Sequence, residues 1–119
     1  MDSLERPIVW LHGEVKSPPF SKEARIQAGF LIRLLQEGDS PKMPWSRPMP
    51  GIGSRCHELR IDDRGRSWRI VYRADSTAIV IAEVFAKTTR QTPKHVFDNC
   101  QRRLRIYDET VKKAKGKEG

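Results

Sequence analysis

His57-Glu58-Leu59-Arg60-Ile61, then the connecting Asp62-Asp63-Arg64-Gly65-Arg66-Ser67, then Trp68-Arg69-Ile70-Val71-Tyr72-Arg73, is the stretch around which the chain is organised. Both flanking runs alternate apolar and polar residues with period two, the mark of strands with one face buried. The polar, glycine-containing connection suits a hairpin loop. With the loop at residues 63–66, antiparallel pairing sets Leu59 opposite Ile70, Ile61 opposite Trp68 and His57 opposite Tyr72, all on one face. The other face then carries Arg60 opposite Arg69, with Glu58 beside them. Like charges directly across a ladder repel, so stability alone gives no reason for this pair. An anion bound between the two guanidiniums gives one. The plainer alternative is an ordinary solvated face, which is where surface arginines usually belong.

The 119 residues are enough for one modest core and too few for two. The net charge is +8 and the isoelectric point about 9.9, a balance that favours a polyanionic partner, nucleic acid above all. Residues 87–119 hold ten Lys/Arg against four Asp/Glu. Cys56 and Cys100 have no metal-ligand spacing and form no disulfide framework. Residues 1–7 are charged, and no apolar run approaches the ~20 residues of a membrane span. A cytoplasmic protein with no membrane contact is expected.

Outward from the hairpin, Ile8-Val9-Trp10-Leu11 is a short apolar run closed by His12-Gly13, and reads as a strand. Ser17-Pro18-Pro19-Phe20 breaks the chain, and Ser21 caps a helix with Glu23 in its first turn. Ala24, Ala28, Leu31 and Leu35 form its apolar stripe, widened by Phe30 and Leu34, and Gly38 ends it. Residues 38–53 contain four prolines and three glycines, which excludes regular structure and predicts an ordered crossing loop. Arg47 and Arg55 flank it and receive no role. After a tight turn at 74–77, the nearly continuous apolar run Ala78-Ile79-Val80-Ile81-Ala82-Glu83-Val84-Phe85-Ala86 predicts an internal strand buried on both faces. If Arg73 pairs with Ala78, Arg69 lies opposite Ala82 beside a shallow trough. Glu83 then falls near Trp68, as partner to a basic side chain. Thr92-Pro93 opens a last helix with Val96 or Phe97, then Cys100, Leu104 and Tyr107 inward, and Cys100 reads as a buried, inert thiol. The predicted core is Val9, Leu31, Leu35, Leu59, Ile61, Ile70, Ile79, Ile81, Phe85 and Leu104. The organisation is one domain over residues 1–111 and a basic, flexible tail at 112–119.

Trp10 to Phe20, Cys56-His57-Glu58-Leu59-Arg60, Trp68-Arg69-Ile70-Val71-Tyr72-Arg73 and Val84-Phe85-Ala86-Lys87-Thr88 with Gln91-Thr92-Pro93 resemble the phage-derived Gp49-like, HigB-type branch of the RelE/ParE toxin superfamily. The likeness covers roughly residues 7–108. It implies an α+β domain: a small, mostly antiparallel sheet, the N-terminal strand plus a three-strand meander, with helices packed on one face. It implies a ribosome-dependent mRNA endonuclease held inactive by a cognate antitoxin of helix-turn-helix type. In such enzymes the RNA 2′-hydroxyl attacks the adjacent phosphate with no metal and no cofactor. The protein supplies cations against the developing charge, a base and an acid.

By motif position, Arg69 matches the family's phosphate-binding arginine, with Arg60 and Lys87 next. Strand parity sets Lys87 with Ile79 and Ile81 on the core face, so a bulge or the strand's end must turn it toward the site. The general base is open between His57, which parity places beside Leu59 and Tyr72, and Glu58, on the arginine face. Each has a structural alternative, a hydrogen-bonded histidine or a salt-bridge partner. Arg73, Arg90 and His95 are candidates for RNA contact, and Arg90 stands in for the second basic residue that the family often has beside Lys87. Two other functions share the resemblance or the charge: a ParE-type toxin that poisons DNA gyrase, and a non-catalytic nucleic-acid-binding module of phage origin. Cleavage of ribosome-bound mRNA separates the first reading from both others.

Overall fold

A computed structural model describes residues 5–11 and 20–118. The turn expected at His12-Gly13 and the break at 17–19 lie outside them. Among the described residues seven elements occur in order: β1 (Ile8–Trp10), α1 (Lys22–Gln36), β2 (Ser46–Pro48), β3 (Cys56–Asp63), β4 (Arg66–Ala74), β5 (Ile79–Ala86) and α2 (Lys94–Glu118). The strands form one mixed sheet in the order β1-β5-β4-β3-β2, with β1 parallel to β5 and every other pair antiparallel.

The central hairpin has the register its alternation predicts: Leu59 faces Ile70, Ile61 faces Trp68, His57 faces Tyr72 and Arg60 faces Arg69. Its turn is tighter than residues 63–66, because Asp63 pairs with Arg66 and only Arg64 and Gly65 remain between the strands. Both have positive φ, 50° and 85°. That is the backbone a two-residue turn needs to match the twist of the strands, and Gly65 adopts it without a Cβ penalty.

The expectation of helices on one face is overturned. α1 buries Ala24, Ala28, Leu31, Ile32 and Leu35 against Leu59, Ile61, Trp68, Ile70, Tyr72, Ile79 and Ile81, with Leu34 partly buried beside them, whereas Phe30, expected in the same stripe, is exposed. α2 covers the opposite face, where Val96, Cys100 and Leu104 pack on Val71, Val80 and Ala82. β5 is apolar on both sides and lies inside the sheet, so each face needs a cover. Leu104 therefore belongs to this second cluster, and Val9 and Phe85 are only partly buried at its margin. Cys100 is fully buried, which pushes its thiol up to about 12.

Two further expectations are corrected. Residues 46–48 of the crossing segment pair with β3 as an edge strand, where Pro48 needs no ladder partner on its outer side. Ser46 Oγ reaches Tyr72 Oη at 2.9 Å and fixes that edge to the core. Met49 and Ile52 pack inward, whereas Met43 and Trp45 stay largely exposed. At the other end, residues 112–118, read as a flexible tail, continue α2 as helix. The ends of α1 match their sequence signals. Ser21 accepts from the Ala24 amide, and Gly38, at φ 97°, closes the C-terminus with its amide on Leu35 O. No helix among the described residues is long and apolar enough to cross a membrane.

Candidate functional site

A β-bulge builds the site. Val71 pairs with Glu83 while the next residue, Tyr72, pairs with Ile81, so Ala82 is an extra residue in β5. The turn before β5 also differs from expectation: Arg73 faces Val80, and Arg69 faces Phe85 instead of Ala82. No trough of small side chains lies beside Arg69. The extra residue inverts the parity of the rest of the strand. Glu83 moves from the Trp68 side to the face of Val71, and Lys87, two residues beyond Phe85, is carried to the face of Arg69. Arg103 of α2 secures the distortion. Its Nη1 donates to Ala82 O at 2.8 Å and lies 3.2 Å from Glu83 Oε1. The basic partner expected for Glu83 is therefore Arg103.

On this face, beyond the N-terminal end of α2, the charges of Arg47, Glu58, Arg60, Arg69 and Lys87 lie close enough to act on one another. Arg47 enters because β2 sets it opposite Glu58. Nothing in its proline-rich surroundings marks it, since its register depends on a strand the sequence does not announce. Arg69 is not the solvent-facing side chain that alternation implied but is buried, as is Glu58. The Arg69 Nε lies 3.6 Å from Glu58 Oε2, while Nη1 donates to Ser67 Oγ at 2.6 Å and to Trp68 O at 3.0 Å. Arg69 Nε and Glu58 Oε1 are buried without a hydrogen-bond partner among the described residues.

The cations crowd one another. Burial lowers the Arg69 guanidinium from its ordinary range; Glu58 and the exposed Asp62 oppose this, and Arg60 and Arg47 add to it. Lys87 is likewise lowered, first by burial and then by Arg69, Arg47 and Arg60, with Glu58 acting the other way. A single buried carboxylate thus stands against four cationic side chains. A further anion at the surface of the group gains from all of them.

Beside the cluster opens a cleft of about 380 Å³. Arg47, Lys87 and Arg90 contribute to its lining, with Met49, Gly51 and Phe97 among the other walls. Arg90, from the loop after β5, thus lines the cleft beside Lys87 without belonging to the cluster. The other sequence candidates lie elsewhere. His57 is on the α1 side of the sheet, its ring stacked on Tyr72 at 5.5 Å and its Nδ1 3.3 Å from Arg55 O. Arg73 is on the Arg69 face but at the far end of β4. It donates to Asp75 at 2.8 Å and to Asp108 at 2.6 Å, which makes it the pin between β4 and α2. His95 is exposed in the first turn of α2 and does not line the cleft. Among the described residues no group of three His, Cys, Asp or Glu is arranged to hold a metal ion.

The arrangement suits charge stabilisation of a phosphate by several cations. Comparison with known families agrees with the sequence resemblance at its narrower level. The model of the family described as "Phage derived protein Gp49-like (DUF891)" matches residues 19–105. No curated protein and no solved structure matches the chain.

Proposed function

Because the chain belongs to the phage-derived Gp49-like family, we propose that it is the toxin of a toxin–antitoxin pair, of the HigB type within the RelE/ParE superfamily, and that it cleaves mRNA on the ribosome. The observation that carries this reading is the meeting of Arg47, Arg60, Arg69 and Lys87 around one buried carboxylate, at the mouth of a cleft. In the proposed reaction the 2′-oxygen of the RNA bonds to the adjacent phosphorus and gives up its proton. The bond from phosphorus to the 5′-oxygen then breaks, and that oxygen takes a proton. The products are a 2′,3′-cyclic phosphate and a 5′-hydroxyl. Lys87, Arg47 and Arg60 face the phosphorane, and Arg69 supports them from beneath with its charge and fixed geometry.

Glu58 in this reading is a positioning residue. Buried beside Arg69, it holds the guanidinium and offsets cation repulsion, and His57 has no part in the chemistry. A cognate antitoxin, an acidic partner of helix-turn-helix type, covers the cationic face and silences it. Its association should be fast and salt-sensitive, as complementary charge makes it.

The test is to add the purified protein to translating ribosomes and map new mRNA 5′ ends. Cleavage within codons, with 5′-hydroxyl ends, is expected. Intact mRNA together with inhibition of gyrase supercoiling would replace this reading with a ParE-type one. Intact mRNA and active gyrase would leave a binding module.

A further inference from the structure

The cationic cluster accounts for a phosphate but leaves the neighbouring cleft unused. Its two sides come from different parts of the chain: residues 48–51, from the last residue of β2 into the following loop, and residues 90–92 with Phe97 at the start of α2. Arg47 and Lys87 belong to both the cluster and the cleft, so the cleft adjoins the place where the cations converge. Phe97, Met49 and two prolines supply its apolar lining. Gly51 packs directly against the Phe97 ring at this wall. A Cβ on Gly51 would stand 3.0 Å from Phe97 Cε1, so any larger residue there must push the ring. The side chains of Gln91 and Thr92 also line the cleft and make no hydrogen bond among the described residues, which leaves donors and acceptors for the edge of a planar ligand.

A cleft with an aromatic and other apolar lining, unpartnered polar groups and cations at one side has the chemistry of a nucleobase pocket beside a phosphate site. We propose that the cleft between residues 48–51 and Phe97 receives the base adjoining the phosphate held by Arg47 and Lys87, and that the preferred ligand is therefore unpaired RNA. The inference rests on the RNA reading above and adds a base-binding subsite to it. A paired base has its edge engaged and its faces stacked, so duplex RNA fits the cations but not the cleft.

The experiment measures binding of a short single-stranded RNA, the same oligomer with abasic positions, and a duplex of equal phosphate number. The proteins are wild type, Phe97→Leu, Gly51→Ala and Lys87→Met. Stacking on an aromatic side chain predicts roughly tenfold tighter binding of the base-containing strand by wild type. Phe97→Leu and Gly51→Ala should shrink that preference several-fold while retaining affinity for the abasic strand, which also shows that these variants remain folded. Lys87→Met should weaken both strands alike. Equal binding of the two strands by wild type, with Lys87→Met still weakening both, overturns the base pocket and leaves the phosphate site. Full discrimination in Phe97→Leu also overturns it. No binding of any RNA removes the RNA reading itself, and the pocket with it.

Discussion

Arg69 Nε and Glu58 Oε2 lie 3.6 Å apart, in an ion pair whose two side chains are 6% and 1% exposed. The separation is too long for a hydrogen bond, and Glu58 Oε1 and Arg69 Nε have no other partner among the described residues. A buried polar atom left unpaired costs about 1–3 kcal/mol. Arg69 Nη1 instead donates to Ser67 Oγ and Trp68 O, and Arg60 faces Arg69 across the ladder.

The first prediction separates the pair's role in folding from its role in function. Arg69→Ala leaves the Glu58 carboxylate buried without its counterion, and should cost about 3–5 kcal/mol of stability. The double variant Glu58→Leu, Arg69→Met should recover most of that loss, because neither charge then remains buried. Urea unfolding of Glu58→Leu, Arg69→Met and the double variant built from these two measures the coupling. Additive effects would mean that the two residues do not depend on each other.

Arg60 should behave in the opposite way. It is half-buried, lies directly across from Arg69 and depresses its charge. Arg60→Ala is expected to stabilise the fold by about 0.2–1 kcal/mol, the scale of a cross-strand pair. Thermal melting at low and high salt checks it, and the gain should shrink as salt screens the repulsion.

Lys87 gives the site a pH dependence. Its charged form is disfavoured by burial and by neighbouring cations, so it loses its proton below the ordinary 10.5. Between that lowered pKa and 10.5 the unfolded chain binds the proton and the folded one does not, so this group's contribution to stability improves as pH rises. RNA affinity should move the other way and fall as Lys87 becomes neutral. Lys87→Arg, which stays charged, should flatten this alkaline limb. The measurement is RNA binding against pH for the two proteins, with salt held constant.

Arg73 separates architecture from chemistry. Its hydrogen bonds to Asp108 and Asp75 hold its charge above the ordinary range and join β4 to α2. Asp108 is half exposed, so Arg73→Ala should cost less than a fully buried pair, about 2 kcal/mol. Cleavage per folded molecule should be unchanged, measured below the melting transition.

Much of the fold was legible because period-two alternation has one meaning once a face is buried. Leu59, Ile61, Trp68 and Ile70 fix the hairpin register, and Arg60 opposite Arg69 comes with it, without further information. The Ser21 cap and the Gly38 terminus were equally local. The failures were non-local. Parity described the Arg69 face as open, yet Val71 and Val80 share it, and α2 closes over them. The bulge at Ala82 is likewise invisible in an apolar run, because its stabilising partner, Arg103, comes from α2. The need for it was nevertheless readable at Lys87, whose family role and strand parity disagreed. Arg47 was missed because its strand contains Pro48 and lies among turn-forming residues.

The central claim is that the cations around Arg69 stabilise a phosphorane on ribosome-bound mRNA. Its most direct test is the initial rate of mRNA cleavage by wild type and by Arg69→Lys, both assayed at a temperature where each is fully folded. Lysine keeps the charge beside Glu58 but loses the rigid planar guanidinium that orders the cluster. The account predicts a rate about 10²–10³-fold lower for Arg69→Lys, with ribosome binding unchanged. Equal rates in the two proteins would contradict it.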